Sequence, residues 1–250
     1  MSYSHLVNRA KKLRQDTFKA FVEHGEAHLG GSFSMIEILI ALFEEIMVNE
    51  DKFILSKAHA SFPLCLVLKE KGLNPRMTTH LEIDPDNGIH CTTGSLGHGL
   101  PIATGMALAR SIKRQKGNIY VMMSDGECQE GTTWESLLIG AKHQLHNMTV
   151  IIDYNKIQAL TTLSDGLPLD DLALKFRAFN WDCDVIEDGH SFEEIIDVFQ
   201  RNRNGSKPRS IIANTTKSKG ITFFENDPRW HARKIKGEEL EIGKKELGIS

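Results

Sequence analysis

No apolar run in this sequence approaches the roughly 20 residues that a membrane-crossing helix requires, and its first residues do not form a signal peptide. The expectation is a soluble protein with no membrane partner. Cysteine is scarce: Cys65, Cys91, Cys128 and Cys183 stand alone, with no C-x-x-C pair. Isolated thiols read as reduced cysteines in a cytoplasmic protein. A basic stripe is also missing. Net charge is −3 with both signs interspersed, which offers nucleic acid no surface. The lysine-rich patches Lys11-Lys12, Lys217 to Lys219 and Lys244-Lys245 read as solvated faces. None of the 11 histidines falls in H-E-x-x-H or a comparable ligand spacing, which excludes a zinc hydrolase. The chain shows no internal repeat, no low-complexity segment and no linker.

What is there fits one large α/β domain over 1–250, since 250 residues at 40% hydrophobic can bury a substantial core. Leu6, Ala10, Leu13, Thr17 and Ala20 share one face of an opening helix, with Arg9, Lys12, Asp16, Lys19 and Glu23 largely off it. A histidine–glycine loop follows, Ala27-His28-Leu29-Gly30-Gly31-Ser32. Ser34 with Glu37 three residues on predicts a capping box ahead of the apolar run 36–43. Further along, the pattern predicts a strand over 53–56, a helix over 57–70 and a loop over 72–92. Gly94-Ser95-Leu96-Gly97-His98-Gly99 opens a helix reaching Lys113. Past a long connection over 156–171 come a strand over 183–186, a helix over 192–203 and a strand over 210–214. The stretch 233–250 reads as a peripheral charged tail.

The most informative pair lies in the middle. The apolar run 119–123 ends in Ser124-Asp125-Gly126, and the run 148–152 ends in Asp153-Tyr154-Asn155, with helix formers from Thr132 to His146 between them. That is a strand–helix–strand unit with parallel neighbouring strands. Asp125 and Asn155 then share the carboxyl edge, where open α/β sheets bind ligands. A carboxylate and an amide oxygen beside a glycine suit Mg²⁺ shared with a diphosphate. Ordinary polar turns after two core strands explain the pair alone equally well.

Several motifs together resemble the thiamine-diphosphate-binding half of a transketolase, from about His5 to Arg233. They are His28-Leu29-Gly30-Gly31, Leu55-Ser56-Lys57-Ala58-His59, Thr92-Thr93-Gly94-Ser95-Leu96-Gly97-His98-Gly99, Asp125-Gly126 with Glu130-Gly131, Asn155-Lys156-Ile157, and Glu225 to His231. The resemblance implies a three-layer fold, a mostly parallel sheet with helices on both faces. It implies thiamine diphosphate as cofactor, with Mg²⁺, or Ca²⁺ or Mn²⁺ in its place. Asp125, Asn155 and the Ile157 carbonyl would ligate the metal. His59 and His231 would contact the diphosphate, Gly126 and Glu127 would lie at it, and the Gly94–Leu96–Gly97 loop would pack Leu96 near the thiazolium. His28 and His80 would line the substrate channel, where imidazole suits proton transfer near neutral pH. Glu130 would reach across a subunit interface.

The sequence departs from the family at Ser124, where glycine is usual, and at His98, where glutamine is frequent. It also stops before the pyrimidine-binding domain of full-length transketolases. The implied activity is transfer of a two-carbon ketol (glycolaldehyde) unit from a ketose or ketose phosphate to an aldose. The implied partner is a separate C-terminal-type subunit, in a heterotetramer. The rival readings are the α-subunit of a thiamine-diphosphate-dependent 2-oxo-acid dehydrogenase and a non-catalytic cofactor-binding module.

Overall fold

The computed structural model describes residues 3–25, 28–201 and 205–249. Ala27 of the histidine–glycine loop, the last two residues of the helix expected over 192–203, and Ser250 lie outside them. The strands are β1 (Lys52–Leu55), β2 (Ile119–Ser124), β3 (Met148–Tyr154), β4 (Asp182–Ile186) and β5 (Arg209–Asn214). They form one parallel sheet in the order β1-β2-β3-β5-β4. Each falls on a segment expected to be a strand, and the inner strands β2, β3 and β5 are buried nearly throughout, as a parallel sheet covered on both faces requires.

The helices are α1 (Ser4–His24), α2 (Leu29–Phe33), α3 (Ile36–Ala41), α4 (Ser61–Glu70), α5 (Gly99–Ile112), α6 (Gly131–Lys142), α7 (Leu172–Ala178), α8 (Phe192–Gln200) and α9 (Glu238–Leu247). The period-2 alternation of the strands divides the core in two. Tyr120, Met122, Ile151 and Ile211 join α1 to α4 and α8 on one face. Ile119, Val121, Met123, Val150 and Ile212 join α5, α6 and α7 on the other. Among the described residues, no helix is long and apolar enough to cross a membrane.

Three local expectations are corrected. Ser34 does not cap α3: its hydroxyl donates to Asp153 at 2.5 Å, and Glu37 is drawn into a buried ion pair with Arg14 instead. A buried carboxylate competes for that hydroxyl better than a backbone N–H does. The helix expected through His146 stops at Lys142, because Gln144 turns left-handed (φ 48°) to bury Leu145. The charged tail is not wholly peripheral, since α9 packs on α1 and buries Leu247.

Candidate functional site

Because every strand is parallel, all the carboxyl ends share one edge, and β2 and β3 deliver Asp125 and Asn155 there as neighbours. Asp125 is only 3% exposed. One of its oxygens accepts from the Gly126 N–H at 2.8 Å and the other from the Lys156 N–H at 2.7 Å, which ties the two strand ends together. The second turn is tight: Lys156 has φ 65°, and Asn155 Oδ1 accepts from the Ile157 N–H at 3.1 Å. Burial, with Asp153 beside it, pushes the Asp125 carboxyl up to about 7. Two amide donors do not compensate a buried negative charge, and a divalent cation would. Asn155 Oδ1 and the Ile157 carbonyl could add two more oxygens. Among the described residues no cluster of three His, Cys, Asp or Glu is placed to hold a metal. An ion here would therefore take few protein ligands and leave positions for phosphate and water, as Mg²⁺ does.

The facing wall is cationic and imidazole-rich. Lys57, just past β1, is fully buried, donates to the Gly31 carbonyl at 2.6 Å and pairs with Asp153. Lys217, after β5, donates to the carbonyls of Ile157 (2.9 Å) and Gln158 (3.1 Å) and lies 3.2 Å from His231 Nδ1. Burial lowers the Lys217 ammonium to about 8, with Asp125 opposing that shift. His28, His59 and His231 form a triangle with ring centroids 5.5 to 5.8 Å apart. Burial, then Lys57, holds His59 well below the ordinary imidazole value, and burial, then Lys217, brings His231 to about 4. Both rings are neutral at physiological pH. Gly30 and Gly31 permit the close packing: a Cβ on the first would lie 2.7 Å from Lys217 Cε, and on the second 2.9 Å from His59 Nε2. Between the walls is a cleft of about 350 Å³. Oxygen ligands on one side and cations with neutral imidazoles on the other can hold a metal-bound polyanion.

Residues 4–250 match the family model described as transketolase, thiamine diphosphate binding domain. The chain belongs to that family. It is 33% identical over 272 residues to one subunit of an apulose-4-phosphate transketolase from Actinobacillus succinogenes, covering 99% of this chain and 97% of that one. To the 6-deoxy-6-sulfo-D-fructose transketolase subunit SqwG of a Clostridium species it is 33% identical over 264 residues, covering 97% and 96%. Human transketolase is 31% identical over 255 residues, covering 92% of this chain but 40% of its own. The solved transketolase of Campylobacter jejuni superposes with a TM-score of 0.87 at 24% identity, covering this whole chain and 44% of that one. The chain thus spans nearly all of the subunit relatives and under half of the single-chain transketolases.

In this transketolase-family chain the expected site residues divide into two groups. Asp125, Gly126, Asn155, Ile157, His59, His231, Leu96 and Glu130 line the cleft, and His28 lies beside the rings of His59 and His231. Gly94, Gly97, His80 and Glu127 do not line it. His80 is exposed and lies over Gly94, where a Cβ would collide with its ring. Gly97 (φ 74°) leaves no room for a Cβ, which would come within 2.6 Å of Glu130 Cβ. The assignment of Glu127 to the cofactor is corrected. Its carboxylate is fully buried and accepts from Ser56 Oγ, the Gly97 N–H (3.0 Å) and the Ser124 N–H (2.9 Å). It ties β1, the Gly94–Gly99 loop and β2 together beneath the cleft. Ser124 Oγ also reaches it at 3.3 Å, which gives the serine in place of glycine a use.

Two functional side chains escape the sequence reading. Lys57 belongs to the Leu55–His59 motif, yet the motif alone assigns it no chemistry. Lys217 reads as part of a solvated face, yet it is 2% exposed. Its signal is position: Thr215-Thr216-Lys217 directly follows a strand, at the same edge as Asp125 and Asn155.

Proposed function

We propose that this chain is the cofactor-anchoring half of a two-chain transketolase, which transfers a two-carbon ketol unit from a ketose or its phosphate to an aldose. Residues 1–250 then act as one thiamine-diphosphate-binding domain. The observation that carries the reading is the pairing of a cation-deficient oxygen edge (Asp125, Asn155, Ile157) with the cationic wall of Lys57, Lys217, His59 and His231. In this reading Asp125, Asn155 and the Ile157 carbonyl hold Mg²⁺, and the facing wall holds the diphosphate. The neutral imidazoles give or take hydrogen bonds without adding charge. Gly126 presents backbone with nothing closer than Gln158 to a Cβ at 3.5 Å, so the phosphates can approach it. Leu96 covers the ring end. When bound, the cofactor supplies the electron sink. The chain's own work is to orient it, to exclude water, and to move the substrate hydroxyl proton at His28, with His80 at the channel rim.

A partner chain is the second part of the reading. Ile102 and Ile112 on α5, with Leu138 and Ile139 on the adjoining α6, expose apolar side chains of the kind a partner covers. Glu130, at the cleft and the start of α6, points the same assignment toward that chain. A cytoplasmic heterotetramer of two chains of each kind fits this reading. Purification from native cells with Mg²⁺ and thiamine diphosphate, followed by mass spectrometry, tests it. A stoichiometric C-terminal-type chain, with ketol transfer only by the pair, is expected. Lipoyl-bearing components, or full activity of this chain alone, would overturn it.

A further inference from the structure

The loop that carries Lys217 is gripped from behind by side chains that the cofactor site does not use. Arg14 (α1), Glu37 (α3) and His190 (between β4 and α8) form a buried network in which each side chain is under 10% exposed. Arg14 Nη2 lies 2.6 Å from the Glu37 carboxylate, and His190 Nδ1 lies 2.9 Å from Glu37 Oε2. On its other side, His190 Nε2 accepts the Thr216 N–H at 2.8 Å. A backbone N–H can only donate, so Nε2 is unprotonated and the ring proton sits on Nδ1, aimed at Glu37. Arg14 Nε donates to the Lys219 carbonyl at 2.9 Å. The two residues flanking Lys217-Ser218 are therefore both held, one by His190 and one by Arg14.

We propose that His190, oriented by Glu37 and Arg14, is a positioning residue that clamps the 216–219 loop and so sets the Lys217 ammonium in the cleft. Two observations point beyond simple packing. Ser218 is buried in the left-handed region (φ 62°) with its N–H on the Gly30 carbonyl at 3.1 Å, a conformation that persists only where the surroundings over-determine it. Lys217 is directed at Ile157 and His231, with the rest of its stem packed over Gly30. A loop free to relax would withdraw that stem. A buried charged triad is weak evidence for stability in itself, and here it holds the backbone of the Lys217 loop on both sides.

The inference rests on the proposed cofactor site for its functional meaning, and the test separates the two. His190→Leu removes the acceptor, whereas His190→Gln keeps one within reach of the Thr216 N–H. In the full chain, labelling of Lys217 by a water-soluble amine-reactive ester, read by mass spectrometry, reports loop position without any cofactor. His190→Leu is expected to label at Lys217 about tenfold faster and to bind Mg²⁺–thiamine diphosphate about tenfold more weakly, with unchanged labelling of lysines outside the 216–219 loop. His190→Gln is expected to restore both. Wild-type labelling and affinity in His190→Leu, or no rescue by His190→Gln, would overturn the clamp. Should His190→Leu fail to fold, long-range ¹⁵N spectra of the wild-type chain decide the matter. A neutral ring protonated on Nδ1 supports the clamp, and one protonated on Nε2 overturns it. A wild-type chain that binds no thiamine diphosphate would count against the proposed function, while the labelling contrast would still decide the clamp.

Discussion

Asp125 and Asp153 stand at the ends of neighbouring parallel strands, on one edge of one sheet, and both carboxylates are buried. Their surroundings are opposite. Burial alone would raise Asp153, but Lys57, Ser34 and Thr215 hold its carboxyl below the ordinary value. Asp125 receives two backbone N–H groups and makes no ion pair among the described residues; burial raises it to about 7, with Lys217 across the cleft opposing the shift only in part. The alternation of β3 explains the difference. Asp153 shares the Ile151 face and turns toward Ser34, between α2 and α3, and Lys57, just past β1, whereas Asp125 follows β2 and faces the cleft. The carboxylate the fold neutralises is structural, and the one it leaves short of charge is available to a ligand.

The contrast can be broken from either side. Asp153→Asn should be the most damaging change, because it leaves Lys57 charged and unpaired in the core. A loss of about 3–5 kcal/mol in urea denaturation is expected, and a loss below about 1 kcal/mol would show that the pair is not what stabilises this edge. Lys217→Met, on the ligand side, should weaken thiamine diphosphate binding by about 10–100-fold in calorimetry, with Lys219→Met unchanged. Equal effects would return Lys217 to the role of a solvated surface lysine.

Acid sharpens the comparison further. His90 and His231 are both lowered by burial to about 4. Each of these imidazoles is protonated more readily in the unfolded chain between about 4 and 6.5, so its contribution to stability is lost as pH falls through that window, while Asp125, raised to about 7, takes up its proton in the folded chain first and opposes the loss. Asp153, held low by Lys57, should not contribute until more acid conditions. In a pH series of thermal melts, His90→Gln should lose less stability than the wild type between about pH 6.5 and 4. The same pH dependence in the wild type and His90→Gln would contradict a neutral, buried His90. The smallest effect expected is that of Ser34→Ala, about 1 kcal/mol, from one lost donor among several on Asp153. A loss as large as that of Asp153→Asn would mean the lysine is not the dominant partner.

Most of the fold is legible in the sequence because parallel strands buried on both faces read as apolar runs, as β2, β3 and β5 do, whereas the edge strand β4 carries Asp182 and Asp184. The turn residues Asp125 and Asn155 are legible for the same reason, since a strand end fixes where they stand. What is not legible depends on contacts distant in sequence. Ser34 and Glu37 have the spacing of a capping box, but Asp153 and Arg14, which claim them, lie 119 and 23 residues away. Lys217 looks solvated because it belongs to a local charge run, and only the crossing of β5 beside β3 buries it. The family resemblance implies Glu127 as a cofactor contact, while the short 3₁₀ turn 126–129 rotates it inward to Ser56 and Gly97.

The measurement that tests the central claim most directly is calorimetric titration of thiamine diphosphate into the wild-type chain and Asp125→Asn, each with and without Mg²⁺. The account predicts Mg²⁺-dependent binding by the wild type and its loss in Asp125→Asn, with the variant at least as stable to urea because a buried, uncompensated charge has gone. Equal binding by both proteins irrespective of Mg²⁺ would contradict it, and Asp125 would then be only a buried turn residue.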